Sequence, residues 1–228
     1  MESMSRNERV RSVLGASALA VGSVTLAAVT LLNPYASEDN QVVVARTQTD
    51  RLTLWALLWL GSSLLLLVGV VTVMGRVRQR GAVLAMVGGT LAAAGTVGMV
   101  AVAAFESVPI SLASVIADDD LLAKALTSFD TSAVLAVVFV LYLAGTTFGP
   151  PLLAGGAARA GLLSAWWVLP VSIAAALQVI DAGGLVVKVV GLSCFVVPML
   201  VLARSIARPE PAEVRVAADG PLAVPTAA

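Results

Sequence analysis

Few residues in this chain can do chemistry, and their types narrow what that chemistry is. Among 228 residues there is no histidine and one cysteine, Cys194. That excludes His-ligated haem and zinc sites, Ser-His-Asp and Cys-His catalysis and imidazole proton relays. An intramolecular disulfide and CxxC redox or metal sites are excluded as well. Carboxylates, Lys, Arg, Tyr, hydroxyls, amides and one thiol remain. Cys194 stands among apolar residues, with nothing adjacent to lower its pKa, so an inert buried thiol is expected. No P-loop, GxSxG, HExxH or dinucleotide fingerprint occurs.

The strongest candidate is Lys188, a lone charge inside an apolar run. A charge within a membrane span is costly and marks function by default, although the lysine stem can also carry its head to the interface. Asp181 can pair with it across a tight turn. Gln178 and Glu106 fall at helix ends on the same side. If Glu106, Gln178, Asp181 and Lys188 converge, they form a small polar site; the alternative is four separate interfacial residues. Asp118, Asp119 and Asp120 suggest a divalent cation at first sight. Successive helical residues point about 100° apart, however, and the run lacks calcium-loop spacing, so capping and solvation are expected instead. Tyr142, Thr146 and Thr147 offer hydroxyls to neighbouring helices. Pro170, read as mid-span, and Pro198 can kink their helices and free carbonyls. No metal, cofactor or catalytic residue is expected.

The elements that must carry these residues follow from hydropathy. The chain is 59% hydrophobic and 12% charged, with a mean hydropathy of +0.96. Soluble domains are about half apolar and about a quarter charged, so lipid is the expected solvent. Crossing a hydrocarbon layer takes about 20 apolar helical residues. Six stretches qualify: 13–32, 52–74, 82–105, 132–153, 162–180 and 185–203. Unbroken apolar runs rather than alternation exclude a barrel. The first run is longer than the 7–15 residues of a signal-peptide core and lacks a clean cleavage site, which predicts an uncleaved anchor.

Net charge is zero, but its distribution is not even. Given six spans, ten bases and five acids fall on one side and four bases and nine acids on the other. The positive-inside rule puts the Arg-rich side, with both termini, in the cytoplasm. The expected fold is thus all-α: a six-transmembrane-helix bundle over 13–204, N-in and C-in, in the cell membrane. Residues 1–12 form a cytoplasmic tail and 205–228 a disordered one. Trp55, Trp59, Trp166 and Trp167 read as interfacial-belt residues. Residues 33–50 read as polar and irregular. Pro109 ends the third helix, and Gly149, Pro150 and Pro151 mark a bend or early end of the fourth. Between the third and fourth helices, Leu121, Leu122, Ala125, Leu126 and Phe129 recur at helical spacing. This predicts a short amphipathic helix, capped by Asp118 and carrying an Asp120–Lys124 pair, along the outer surface.

Small residues at spacing four, Gly88, Ala92 and Thr96 among them, make the third helix the candidate central helix. They open two routes, dimerisation through that face or packing within the chain. Membrane lipid is the expected partner, a homo- or hetero-oligomer through those three residues is the second, and nucleic acid is not expected.

Over the last three helices, Gly155-Gly156-Ala157-Ala158-Arg159-Ala160-Gly161 followed by Trp166-Trp167 resembles a broad group of uncharacterised bacterial six-helix membrane proteins, common in actinobacteria and defined by a domain of unknown function. The Pro that usually precedes the Trp in that group is missing here. The resemblance implies a fold and a location, and no activity. Two functions are therefore carried forward: a non-catalytic accessory, assembly or sensing component, or a small-solute or ion transporter or channel.

Overall fold

In the computed structural model, which describes residues 6–36, 40–77, 80–180 and 185–208, the apolar stretches become long helices. These are α1 (Arg6–Leu31), α3 (Thr49–Arg76), α4 (Ala82–Phe105), α7 (Ala133–Arg159) and α9 (Leu185–Ala207), each long and apolar enough to cross a membrane. Every element among the described residues is helical. The stretch at 162–180 differs from expectation. It begins as a 3-10 turn, Ala165–Trp167, and continues as α8 (Val168–Ile180), 13 residues long. At 1.5 Å per residue α8 measures about 20 Å, less than the roughly 30 Å of a hydrocarbon core. Pro170 therefore lies in the first turn of α8, where its missing N–H leaves no helical bond broken, and not in mid-span.

No helix sits at the centre. α1 packs on α3 and α9, α4 on α3 and α7, and α8 on α7 and α9, which closes a ring of six. The third apolar stretch, α4, is one member of that ring rather than its hub. The ring is solid at the end that carries Arg76, Arg80, Arg159 and Arg204. There Leu19, Val73, Leu153, Val171, Leu202 and Ile206 form one buried cluster. These apolar side chains meet because each ring helix turns one stripe inward and presents the rest outward; Val83, Val137 and Val186 are among the exposed residues on the other faces.

The α4–α7 seam is the closest approach in the ring. A Cβ on Gly145 would lie 2.4 Å from Gly95 Cα, and one on Gly149 would lie 2.4 Å from the Ala92 nitrogen. Gly88 faces Leu152 and Leu153 just as tightly, and Thr96 is buried, its hydroxyl donating to Ala93 O at 2.8 Å. Gly88, Ala92 and Thr96 are thus buried within the chain, on the side of α4 that meets α7. The same packing explains why α7 runs through Gly149, Pro150 and Pro151 to Arg159 instead of ending early. Gly156 lies against Ala85, and Gly149 against Ala92, which holds the helix on course beyond its two missing donors. Gly81 opens α4 in the left-handed region at φ 86°, and a side chain there would also strike Gly156 O.

Three short helices cover the other end. Residues 33–50, expected to be irregular, hold a 3-10 turn (Pro34–Ala36) and α2 (Gln41–Thr47), whose first amides are capped by the Asn40 side chain. Pro109, expected only to end the third helix, instead lies in the first turn of a further helix, α5 (Val108–Val115). α6 (Asp119–Asp130) buries Leu122 and Leu126 and is capped by Asp118, whose carboxylate accepts from Leu121 N at 2.9 Å. Its acids do not pair with Lys124. Asp119 pairs instead with Arg46, at 3.1 Å. Arg46 is the hub of this cap: its guanidinium also donates to the carbonyls of Ala113, Ile116 and Ala117 at the end of α5. Gln41 adds a bond to Asp130 at 3.0 Å. Replacing Arg46 by alanine removes the partner of several end-of-helix carbonyls at once. The expected result is amide exchange in α5 and the first turn of α6 about tenfold faster or more, the equivalent of roughly 1.4 kcal/mol or more, with α4 and α7 unchanged.

Candidate functional site

Where the ring is not filled it encloses a cavity of about 340 Å³, with walls drawn from all six helices. Its floor is the buried cluster, reached at Leu19, Leu66, Val70, Leu153, Val171 and Met199. Along α1 it extends from Leu19 to Thr30 and on to Asn33 beyond the helix end, and along α3 from Trp55 to Val70. At 1.5 Å per residue, either span makes it about 20 Å deep. Its lower wall is aliphatic. Its upper wall gathers Asn33, Trp59, Tyr142, Thr146, Gln178 and Lys188.

The polar wall is partly tied together. Gln178 donates from Nε2 to the Tyr142 hydroxyl at 2.9 Å and more weakly to Thr146 Oγ1 at 3.4 Å. The Thr146 hydroxyl itself donates back to Tyr142 O at 2.8 Å, the usual way a helix satisfies a threonine. Pro150 and Pro151 lack the amides that would otherwise bond the carbonyls of Thr146 and Thr147. Trp59 Nε1 is buried without a hydrogen-bond partner. No acid, cysteine or histidine is among the described lining residues. The wall therefore carries hydrogen-bond donors and, in Lys188, a positive charge.

Of the four residues singled out in the sequence, Gln178 and Lys188 share this wall. Asp181 lies outside the described residues. Glu106 does not join them. It caps α4, on the far side of α7 from α8, and is hydrogen-bonded to the Tyr35 hydroxyl under the short-helix cap. Burial, against the partial relief of the Tyr35 bond and with the nearby charge of Asp130, pushes the Glu106 carboxyl up to about 7. Burial, then the Glu106 charge, raises the Tyr35 phenol as well.

A row of aromatic rings joins the two places. Tyr35 meets Trp55 edge-on at 6.2 Å, Trp55 meets Trp59 at 4.8 Å, and Trp59 meets Tyr142 at 6.5 Å. Trp55 is 5% exposed and donates from Nε1 to Val29 O at 2.8 Å, at the end of α1. Trp55 and Trp59 therefore belong to the interior and not to an interfacial belt; Trp166, 82% exposed, keeps its outward place. The i, i+4 spacing of the two tryptophans was the available sign that they share a helix face.

The Glu106 carboxyl makes the cap pH-sensitive, and the sign follows from linkage. Its folded value lies above the ordinary 4.5, so between those values the folded state holds a proton that the unfolded chain has lost. Stability then falls as pH rises through that window and levels off above about 7. The upper bound of the effect is about 3 kcal/mol. The expected result is a higher amide protection factor in the cap at pH 5 than at pH 8, each rate being taken against the intrinsic exchange rate at its own pH, with Glu106→Gln holding the higher protection at both.

No protein-family model, no characterised protein and no solved structure matches the chain.

Proposed function

We propose that this is a six-span protein of the plasma membrane, with both termini and the Arg-rich end in the cytoplasm. In this reading it is a non-catalytic binding or sensing component that receives a small molecule in its central cavity. α8 with its leading 3-10 turn makes the sixth, shorter crossing, and the short helices, α6 among them, lie along the outer surface. This agrees with the resemblance to uncharacterised bacterial six-helix proteins, which implies location and no activity. The observation that carries the reading is the cavity itself. It is walled by every ring helix, polar at one end and plugged by apolar side chains at the Arg-rich end. A pocket of this form receives a ligand from the side opposite its plug.

The same cavity keeps a second reading in view, a transporter, because it extends past the middle of the bundle. Transport needs a second opening at the Arg-rich end, where the plug lies.

Single cysteines introduced into a Cys194→Ala background separate these readings when a membrane-impermeant maleimide is applied to cells. Gln178→Cys is expected to react in intact cells, Arg80→Cys only after permeabilisation, and Met199→Cys from neither side. Reaction of Arg80→Cys from outside would overturn the orientation. Reaction of Met199→Cys from the cytoplasmic side would replace binding with transport.

A further inference from the structure

We infer that the cavity holds a single-chain amphiphile with an anionic head, its head against Tyr142, Trp59 and Lys188 and its chain running toward Met199. This deepens the proposed binding role and rests on it.

The shape sets the first part. A depth of about 20 Å with a volume of about 340 Å³ describes a slot, at the small end of the roughly 300–1,000 Å³ of ligand cavities. One extended chain fits such a slot, and a second beside it does not. The aliphatic lower wall keeps that chain among apolar atoms, as lipid does.

The wall chemistry sets the second part. The upper wall offers the Lys188 ammonium and the Tyr142 hydroxyl, which receives the Gln178 amide and so keeps its own proton to give, with the Trp59 indole beside them. No carboxylate lines it among the described residues. A cationic head would meet like charge there, and a neutral alcohol would leave the ammonium without its strongest partner. A carboxylate or phosphate accepts from both donors and neutralises the lysine.

The test uses the full chain in phosphatidylcholine nanodiscs and palmitate carrying a diazirine at its terminal carbon. Photolabelling is expected at the floor, on Leu153, Met199 or Val70. Unlabelled palmitate or hexadecyl phosphate is expected to displace the label, whereas hexadecanol and hexadecyltrimethylammonium need at least about tenfold more. Whichever of the two anions acts at lower concentration identifies the head as carboxylate or phosphate. Lys188→Gln changes an exposed side chain and is expected to weaken palmitate about tenfold while leaving hexadecanol unchanged. Gly191→Leu is a second variant. Gly191 lines the cavity, and its Cβ would meet only Leu177, at ordinary distances of 3.5 and 3.6 Å. It is expected to abolish floor labelling in a folded protein. Equal displacement by hexadecanol, or no effect of Lys188→Gln, would overturn the anionic head and leave the cavity as a binding site. Labelling confined to the outward residues Leu64, Val68 and Val71 would overturn both.

Discussion

Gly145→Val is expected to destabilise the protein by about 3 kcal/mol or more, the upper part of the range for overpacking, because the clash is with backbone. A Cβ at Gly145 would stand 2.4 Å from both the nitrogen and the Cα of Gly95 and 2.5 Å from Leu91 O. Side chains can rotate away from such an intrusion, but main chain cannot. The whole of α7 must withdraw from α4, and every close contact from Gly81–Gly156 to Gly98–Tyr142 loosens with it. Gly61→Ala provides the control. Its Cβ meets nothing within 4 Å, so the change is expected to be neutral or to add up to about 1 kcal/mol through helix propensity. Thermal unfolding in one detergent, followed by circular dichroism, compares the two. Equal midpoints for Gly145→Val and the parent chain would show that the seam is not the rigid contact described.

Trp55→Ala is the second large effect, expected at about 3–5 kcal/mol. Trp55 is buried where α1, α3 and the Pro34–Ala36 turn meet, in a cluster with Val29, Val44 and Leu52. Its loss opens a cavity, leaves Val29 O without the indole donor and breaks the aromatic row between Tyr35 and Trp59. Trp55→Phe keeps much of the volume and removes the hydrogen bond. It is expected to recover about half the loss, which separates packing from the bond to Val29. If the belt assignment were right, Trp55→Ala would change stability by little, since an interfacial side chain has lipid headgroups and water as neighbours in either state.

Most of the helical framework was legible in the sequence because each apolar run has a physical stop. α4 begins after Gly81 and ends before Glu106, and both limits match expectation. α9 begins at Leu185 as expected. The cap of α6 by Asp118 was legible for the same reason, since a short acidic side chain before an amphipathic run has one obvious hydrogen bond to make. What the sequence concealed was the inward side of each helix. Hydropathy in lipid does not separate a residue that faces neighbours from one that faces acyl chains, so Trp55 and Trp59 read as interfacial, and the small-residue stripe of α4 could not be assigned to α7 or to a second copy. The site was half legible. Gln178 and Lys188 stood out as polar groups in apolar runs and do share a wall. Glu106 stood out too, but whether it joins them depends on ring order, and α7 separates α4 from α8. α5 was hidden because proline marks the first turn of a helix as readily as the end of one.

The ring's walls differ in stiffness. On one side, α4 and α7 touch main chain to main chain, and Gly69 of α3 meets α1 at the Leu19 Cα almost as closely. On the other, α8 is short, Gly191 of α9 touches α8 with slack, and Leu185, Val186, Val189 and Val190 near the start of α9 are exposed. A ligand too wide for the slot is therefore expected to displace the start of α9 and its contact with α8 before it parts α4 from α7.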